Sequence, residues 1–223
     1  MESRTCDVVI VGAGASGLAA ATALKAAGVD FLVLEARDRV GGRTYSHTLQ
    51  NGVTIDLGGQ WVAPTQTRVL SLARELGLHI FPTYDDGDRI LLQEGKIGRL
   101  ADFTAALDDM VAADVLQVFE KMEALAASIP LEAPWTHPDA EVLDRLTYAA
   151  CIDQNMTTEL GRWRMKFLGP GVFSVDACEL SMLHVAFYFG AAGGVGLLTA
   201  TRGGGQDARF AGGMQALSIG MAK

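Results

Sequence analysis

The chain is short of basic charge. Its 18 lysines and arginines face 26 aspartates and glutamates, leaving a formal charge of −8 at pH 7. No basic patch is available to offset phosphate charge, so neither a nucleic-acid nor an anionic-membrane partner is expected, while a cationic ligand is tolerated. Cysteine is scarce as well: Cys6, Cys151 and Cys178 stand far apart, with no Cys-x-x-Cys pair. Thiols spaced in this way suit a reduced, cytoplasmic protein rather than a disulfide framework. The four histidines, His47, His79, His137 and His184, are equally scattered, so no metal site is expected. Apolar runs that could cross a bilayer are missing too. Val8 to Leu24 is interrupted by Gly12, Gly14 and Gly17, and the opening Met1-Glu2-Ser3 lacks the basic stretch of a signal peptide. Leu180 to Thr201 approaches the roughly 20 residues a span needs. Gly190, Gly193, Gly194 and Gly196 crowd its second half, which predicts a buried helix running into a glycine-rich loop.

What is present is organised around the stretch from Asp7 to Glu35. Val8-Val9-Ile10-Val11 is a β-branched run that feeds into Gly12-Ala13-Gly14-Ala15-Ser16-Gly17, and an Ala/Leu-rich segment then runs to Gly28. The pattern predicts strand, tight turn and helix, with Gly28 as the left-handed cap. A second apolar run, Phe31-Leu32-Val33-Leu34, ends on Glu35. This is the βαβ dinucleotide fingerprint in its expected context. Gly12 permits the turn, Gly14 lets backbone approach a pyrophosphate, and Gly17 lets the helix pack close to the strand. The helix N-terminus offers unpaired N–H groups and positive dipole to the phosphates. An acid at Glu35 suits a ribose diol and disfavours a 2′-phosphate, so NAD or FAD fits better than NADP.

Two further glycine pairs follow. Arg37-Asp38-Arg39-Val40-Gly41-Gly42-Arg43-Thr44 places Gly41 and Gly42 soon after the acid, with Arg43 able to reach the diphosphate or ring of the same cofactor, although taken alone the run also reads as a surface turn bearing solvated arginines. Gly52 to Leu57 reads as a short strand leading into Gly58-Gly59-Gln60-Trp61. Pro64 suits the first turn of a helix carrying Val69, Leu72, Ala73 and Leu76, closed by Gly77 and expected to cover the sheet. Ile90 to Gln93 and Lys96 to Arg99 predict a hairpin around Glu94-Gly95. A helical stripe of Phe103, Leu107, Met110, Val111, Val115, Val118, Met122 and Leu125 runs on toward Pro130, with Asp108, Asp109, Asp114, Glu120 and Glu123 expected on a solvated face. After a linker marked by Pro130, Pro134 and Pro138, short helical patterns continue from Ala140 to about Phe189. The switch from strand to helix signals predicts a second, helical domain inserted into the first.

The run Glu35 to Thr44, followed by Asp56-Leu57-Gly58-Gly59-Gln60-Trp61-Val62-Ala63-Pro64-Thr65-Gln66, closely resembles the flavin-containing amine oxidases, the monoamine oxidase and polyamine oxidase family. Carotenoid desaturases and protoporphyrinogen oxidases share the first two elements, and the Gly58 to Gln66 run favours the amine oxidases. The resemblance implies an α/β fold: an incomplete, Rossmann-like FAD-binding domain of the glutathione reductase type with an inserted, mainly helical substrate domain. The expected division is 1–80 for the first part of the FAD domain, 81–205 for the insertion and 206–223 for the return. The resemblance also implies FAD rather than NAD. It places Gly12, Gly14, Ser16 and Gly17 at the diphosphate and Glu35 at the ribose. Arg37, Gly41, Gly42 and Arg43 would lie along the cofactor, with Gly58, Gly59, Gln60 and Trp61 toward the flavin end.

Gly203-Gly204-Gly205-Gln206 and Arg209-Phe210-Ala211-Gly212-Gly213-Met214 again resemble that family, where the chain lines the substrate cavity and returns to the FAD domain. Leu198, Thr199 and Gln206 are the cavity-lining candidates on that basis. Family members continue well past a point equivalent to Lys223, and the lysine and aromatic pair they use near the flavin have no counterpart to assign here, so no catalytic residue is named. The implied reaction is oxidation of a small amine to an imine, with O2 reduced to H2O2 and water releasing the carbonyl product. Two alternatives stand beside it: a non-catalytic polypeptide or subunit needing a partner chain for the remaining half, and a NAD-dependent Rossmann oxidoreductase.

Overall fold

The computed structural model describes residues 4–93, 96–100 and 108–223. They form two compact units, Met1–Tyr84 with Ala200–Lys223, and Asp85–Thr199. The units divide after Tyr84 and after Thr199, whereas the expected division is 1–80, 81–205 and 206–223.

The first unit opens with the predicted motif. Strand β1 (Val8–Val11), helix α1 (Ala15–Ala26) and strand β2 (Phe31–Leu34) form a βαβ unit. The strands pair in parallel from Val8 against Phe31 to Val11 against Leu34. Gly28 takes φ +68°, a conformation that suits glycine, and ends the helix as expected. Strands β3 (Ser46–Thr48) and β4 (Thr54–Asp56) form an antiparallel hairpin. Strand β5 (Trp61–Val62) leads to helix α2 (Thr67–Glu75) and strand β6 (Ile80–Pro82). Helix α2 begins at Thr67, so Pro64 stands in the turn before it rather than in its first turn.

The second unit begins with the expected hairpin, in which β7 (Arg89–Gln93) and β8 (Lys96–Leu100) pair antiparallel from Arg89 against Leu100 to Gln93 against Lys96. Glu94 and Gly95, expected at the turn, lie outside the described residues, as do Phe103 and Leu107. Helix α3 (Asp109–Ser128) buries Val111, Val115, Val118 and Met122, while Met110, expected on the same stripe, is exposed. Helices α4 (Ala140–Arg145), α5 (Tyr148–Asn155), α6 (Glu159–Lys166), α7 (Met182–Ala191) and α8 (Val195–Thr199) complete the unit. Its core gathers Tyr148, Ile152, Met165, Val185 and Phe189 against α3. Among the described residues no helix is long and apolar enough to cross a membrane. The stretch expected as a glycine-rich loop contains α8, because the only positive φ angles there, at Gly193 and Gly194, are spent on the turn before it.

Of the acids expected on a solvated face of α3, Asp108, Asp109 and Glu120 are exposed, whereas Asp114 and Glu123 depart from it. Asp108 caps the helix by accepting from the Val111 N–H. Glu123 accepts from the Gly196 N–H at 2.9 Å, which ties α8 to α3. Asp114 is buried and accepts from the Thr158 N–H at 2.8 Å, the Thr158 hydroxyl at 2.6 Å and the Thr157 N–H at 3.1 Å. It thereby satisfies donors at the start of α6, which a helix cannot pair internally.

The chain returns to the first unit through strand β9 (Ala208–Phe210) and helix α9 (Gln215–Met221). Strand β9 lies between β5 and β6, antiparallel to both. One face of this three-stranded sheet packs Val62, Ala208 and Phe210 against Ala73 of α2 and Leu217 of α9, as expected for a helix covering the sheet.

Candidate cofactor-binding site

Helix α1 starts on a glycine. Gly14 is its N-cap and has no side chain to accept from the first turn, so the N–H groups of that turn remain free for a ligand. The turn before it is held by the Gly12 N–H, which donates to the Leu34 carbonyl at 2.7 Å. Gly12 has φ +99°, and a Cβ at Gly17 would overlap the Gly12 carbonyl oxygen. At Gly14, by contrast, a Cβ would meet nothing within 4 Å, since the backbone there faces open space.

That space is a cavity of about 700 Å³. Gly12, Gly14, Ser16 and Gly17 line it from the first turn, and Arg37, Gly41, Gly42 and Arg43 line it from the segment after β2. The structure therefore brings together eight of the residues singled out from the sequence. Gly42 passes so close that its Cβ would lie 3.5 Å from the Gly14 Cα. Gly41 and Gly42 have φ of +106° and +57°, conformations that let this turn fold back on the first.

Glu35 carries a task the sequence does not show. Its carboxylate accepts from the Ala13 N–H at 2.7 Å and from the Arg37 N–H at 3.0 Å. The Ala13 bond first, then the Arg37 bond, hold its carboxyl below the usual carboxylate value. Each oxygen keeps a lone pair, so ribose hydroxyls remain acceptable partners. The side chain borders a second cavity of about 290 Å³, which it shares with Ala13, Val40 and Lys223.

Gly58, Gly59, Gln60 and Trp61 do not line the larger cavity. A Cβ on Gly58 would overlap the Arg43 carbonyl oxygen, and the Gly59 N–H donates to that same oxygen at 3.1 Å. This glycine pair thus seats the backbone of Arg43. Gln60 leads into β5, and the exposed Trp61 pairs with Arg209, so both side chains stand on one face of the sheet. Among the described residues, Arg209 Nε and Thr83 Oγ1 are shut off from solvent and have no hydrogen-bond partner.

The substrate-lining candidates fall in different units. Leu198 packs against the core of the helical unit, and the Thr199 hydroxyl donates to the Val195 carbonyl at 2.9 Å. Gln206 belongs to the other unit, where its N–H donates to the Ala200 carbonyl at 3.2 Å.

Sequence reasoning missed Arg39 and Tyr45. Both Arg39 terminal nitrogens donate to the Gly42 carbonyl at 3.1 Å, and its guanidinium lies 4.4 Å from the centre of the Tyr45 ring. The signal was available in principle, since Arg39 sits two residues before a glycine pair whose carbonyls need donors. These features fit a dinucleotide diphosphate: uncapped helix N–H groups, open space at Gly14, and the cationic Arg37 and Arg43 on the same cavity. Among the described residues no cluster of His, Cys, Asp or Glu could hold a metal ion.

Comparison with known proteins agrees with this geometry. Residues 15–223 match the family described as flavin containing amine oxidoreductase. The chain is 37% identical over 219 residues to the flavin-containing amine oxidase B of Cavia porcellus, spanning 98% of this chain and 42% of that protein. Among solved structures, putrescine oxidase bound to putrescine superposes with a TM-score of 0.87 at 36% identity, over 97% of this chain and 48% of the other. Cyclohexylamine oxidase from Brevibacterium oxydans gives a TM-score of 0.90 at 33% identity, covering 98% and 49%. The chain thus spans about half the length of the relatives it matches.

Proposed function

We propose that this chain, which belongs to the flavin containing amine oxidoreductase family, holds FAD and forms the cofactor-binding part of an enzyme that oxidises a small amine with O2. The observation that carries the reading is the uncapped N-terminus of α1, which opens into a cavity shared with Arg37 and Arg43. The helix N–H groups and Ser16 hold the diphosphate, Arg37 and Arg43 offset its charge, and Glu35 accepts the ribose hydroxyls while tying down the turn through Ala13. When bound, FAD supplies the two-electron acceptor that turns an amine into an imine and passes the electrons to O2 as H2O2. The protein's own contribution is to bind and orient; no catalytic side chain is assigned to it.

Flavin absorbance of the purified protein tests the cofactor, and peroxide release from a panel of monoamines, diamines and amino acids tests the reaction. Protein that stays colourless after incubation with FAD refutes the reading. A cytoplasmic location belongs to the same proposal. It is supported by Cys6, Cys151 and Cys178 being free thiols, and cell fractionation checks it.

A further inference from the structure

One peptide group in the first unit is held from both sides. The Gly41 N–H donates to the Ala13 carbonyl at 2.8 Å, which joins it to the turn before α1. The carbonyl of the same peptide, that of Val40, accepts from Gln215 Nε2 at 2.8 Å. Gln215 reaches it from the start of α9, far along the chain. It is buried, and its side chain is used at both ends, because its Oε1 accepts from the Ser46 N–H at 3.0 Å. Its backbone is fixed as well: the Gln215 N–H donates to Ser46 Oγ at 3.1 Å, and that hydroxyl donates to Asp56 at 2.6 Å. The Met214 N–H completes the network by donating to the same Asp56 oxygen at 2.9 Å. The fit leaves no slack, since a Cβ on Gly41 would lie 3.1 Å from Gln215 Cγ.

The clamped peptide is the entry to the turn that carries Gly41, Gly42 and Arg43 along the 700 Å³ cavity. Its plane sets the direction in which that turn leaves. Glycines with φ of +106° and +57° impose little direction of their own. We propose that Gln215 is a positioning residue for the cofactor: by fixing the Val40–Gly41 peptide it preforms the Gly41–Arg43 turn, so that the returning β9–α9 segment governs how tightly FAD is held. The inference rests on the FAD-binding reading above.

Apoprotein titrated with FAD, followed by quenching of flavin fluorescence, tests it alongside a thermal melt without FAD. Gln215→Met keeps the volume but leaves the Val40 carbonyl and the Ser46 N–H without partners, so the turn is no longer held and Kd rises by about tenfold or more. Gln215→Glu keeps the acceptor for Ser46, and only its protonated form can donate to Val40. Its FAD affinity therefore recovers as the pH is lowered from about 8.5 to about 6, where a buried carboxyl takes up its proton. The wild type stays level over that range. Asp56, the ionisable member of the network, and Arg39, which donates to the Gly42 carbonyl of the turn, are common to both proteins and cancel in the comparison. A Gln215→Met protein that melts earlier yet binds FAD with unchanged Kd overturns the inference, as does a Gln215→Glu protein with no pH dependence beyond the wild type. Wild-type protein that takes no FAD overturns the functional reading and this inference with it, so the two failures are told apart by the wild-type titration.

Discussion

Replacing Gly14 with valine separates the cofactor from the fold. Gly14 has φ −78° and ψ 177°, a conformation open to any residue, and its added Cβ would meet nothing within 4 Å. The apoprotein therefore loses only the preference of a helix N-cap for glycine over an aliphatic residue, about 1 kcal/mol or less. In a chain of 223 residues that lowers Tm by about 2–4 °C. The cofactor meets a different situation. Two methyl groups would occupy the space through which a diphosphate reaches the first-turn N–H groups of α1. Losing two hydrogen bonds to a charged group, each worth about 1.5–3 kcal/mol, weakens FAD binding by roughly a hundredfold or more. Gly17→Ala is the matching control, because its Cβ overlaps the Gly12 carbonyl oxygen and the damage there falls on the apoprotein. Circular dichroism melts of the apoproteins and fluorescence titration with FAD read out the two effects. Full flavin occupancy in folded Gly14→Val protein would show that the diphosphate does not lie against this turn. Equal loss of Tm in both variants would show that the space at Gly14 is not open.

Glu35→Ala removes the acceptor for the Ala13 N–H together with the proposed ribose contacts, and FAD affinity measured by the same titration falls by about tenfold or more. Because hydrogen bonds hold the Glu35 carboxyl below its usual 4.5, wild-type affinity is level from neutral pH down to about that value and weakens only beneath it. Arg39→Lys keeps the charge but loses the paired bonds to the Gly42 carbonyl and the stacking on Tyr45, so FAD binds more weakly even though no cation is removed; unchanged affinity would limit Arg39 to a bystander. Asp114→Asn turns an acceptor of several donors into a partial donor, which costs about 2–4 kcal/mol and lowers Tm by roughly 5–15 °C. Burial pushes the Asp114 carboxyl up, but the Thr158 and Thr157 bonds outweigh it and hold it below the usual 3.8. The stabilisation is thus complete above that value and is lost as pH falls through the lower folded one, so the gap in Tm between wild type and Asp114→Asn narrows under about pH 4.

Local pattern made much of the first unit legible. β-Branched runs at Val8–Val11 and Phe31–Leu34, a glycine turn between them and Gly28 at the helix end each express a short-range preference, and each lies where it was expected. The stripe of α3 was readable for the same reason, as a periodicity within one helix. Asp114 and Glu123 escaped because their exposure depends on another helix arriving: the start of α6 in one case and α8 in the other. Charge placed on a helical wheel describes the helix alone, whereas a carboxylate next to an incoming helix N-terminus is a bonded group.

The 700 Å³ cavity divides along the same line. Its glycines and Arg43 were legible, because a ligand that needs backbone close by imposes the residue type at each point of approach. The parts that hold the cavity open were not. Gly58 shows why: a glycine pair beside an aromatic residue reads as a second approach to the ligand, yet its missing side chain makes room for the Arg43 carbonyl. Gln215 left no trace at all, since a glutamine at the start of a short helix resembles any polar residue until Val40 and Ser46 are brought against it. A turn built on Gly41 and Gly42 takes its direction from outside itself, because glycine has little preference to supply. The conformational freedom that lets the backbone reach a diphosphate is thus the freedom that a distant side chain must remove, and short-range sequence pattern carries no record of which side chain does so.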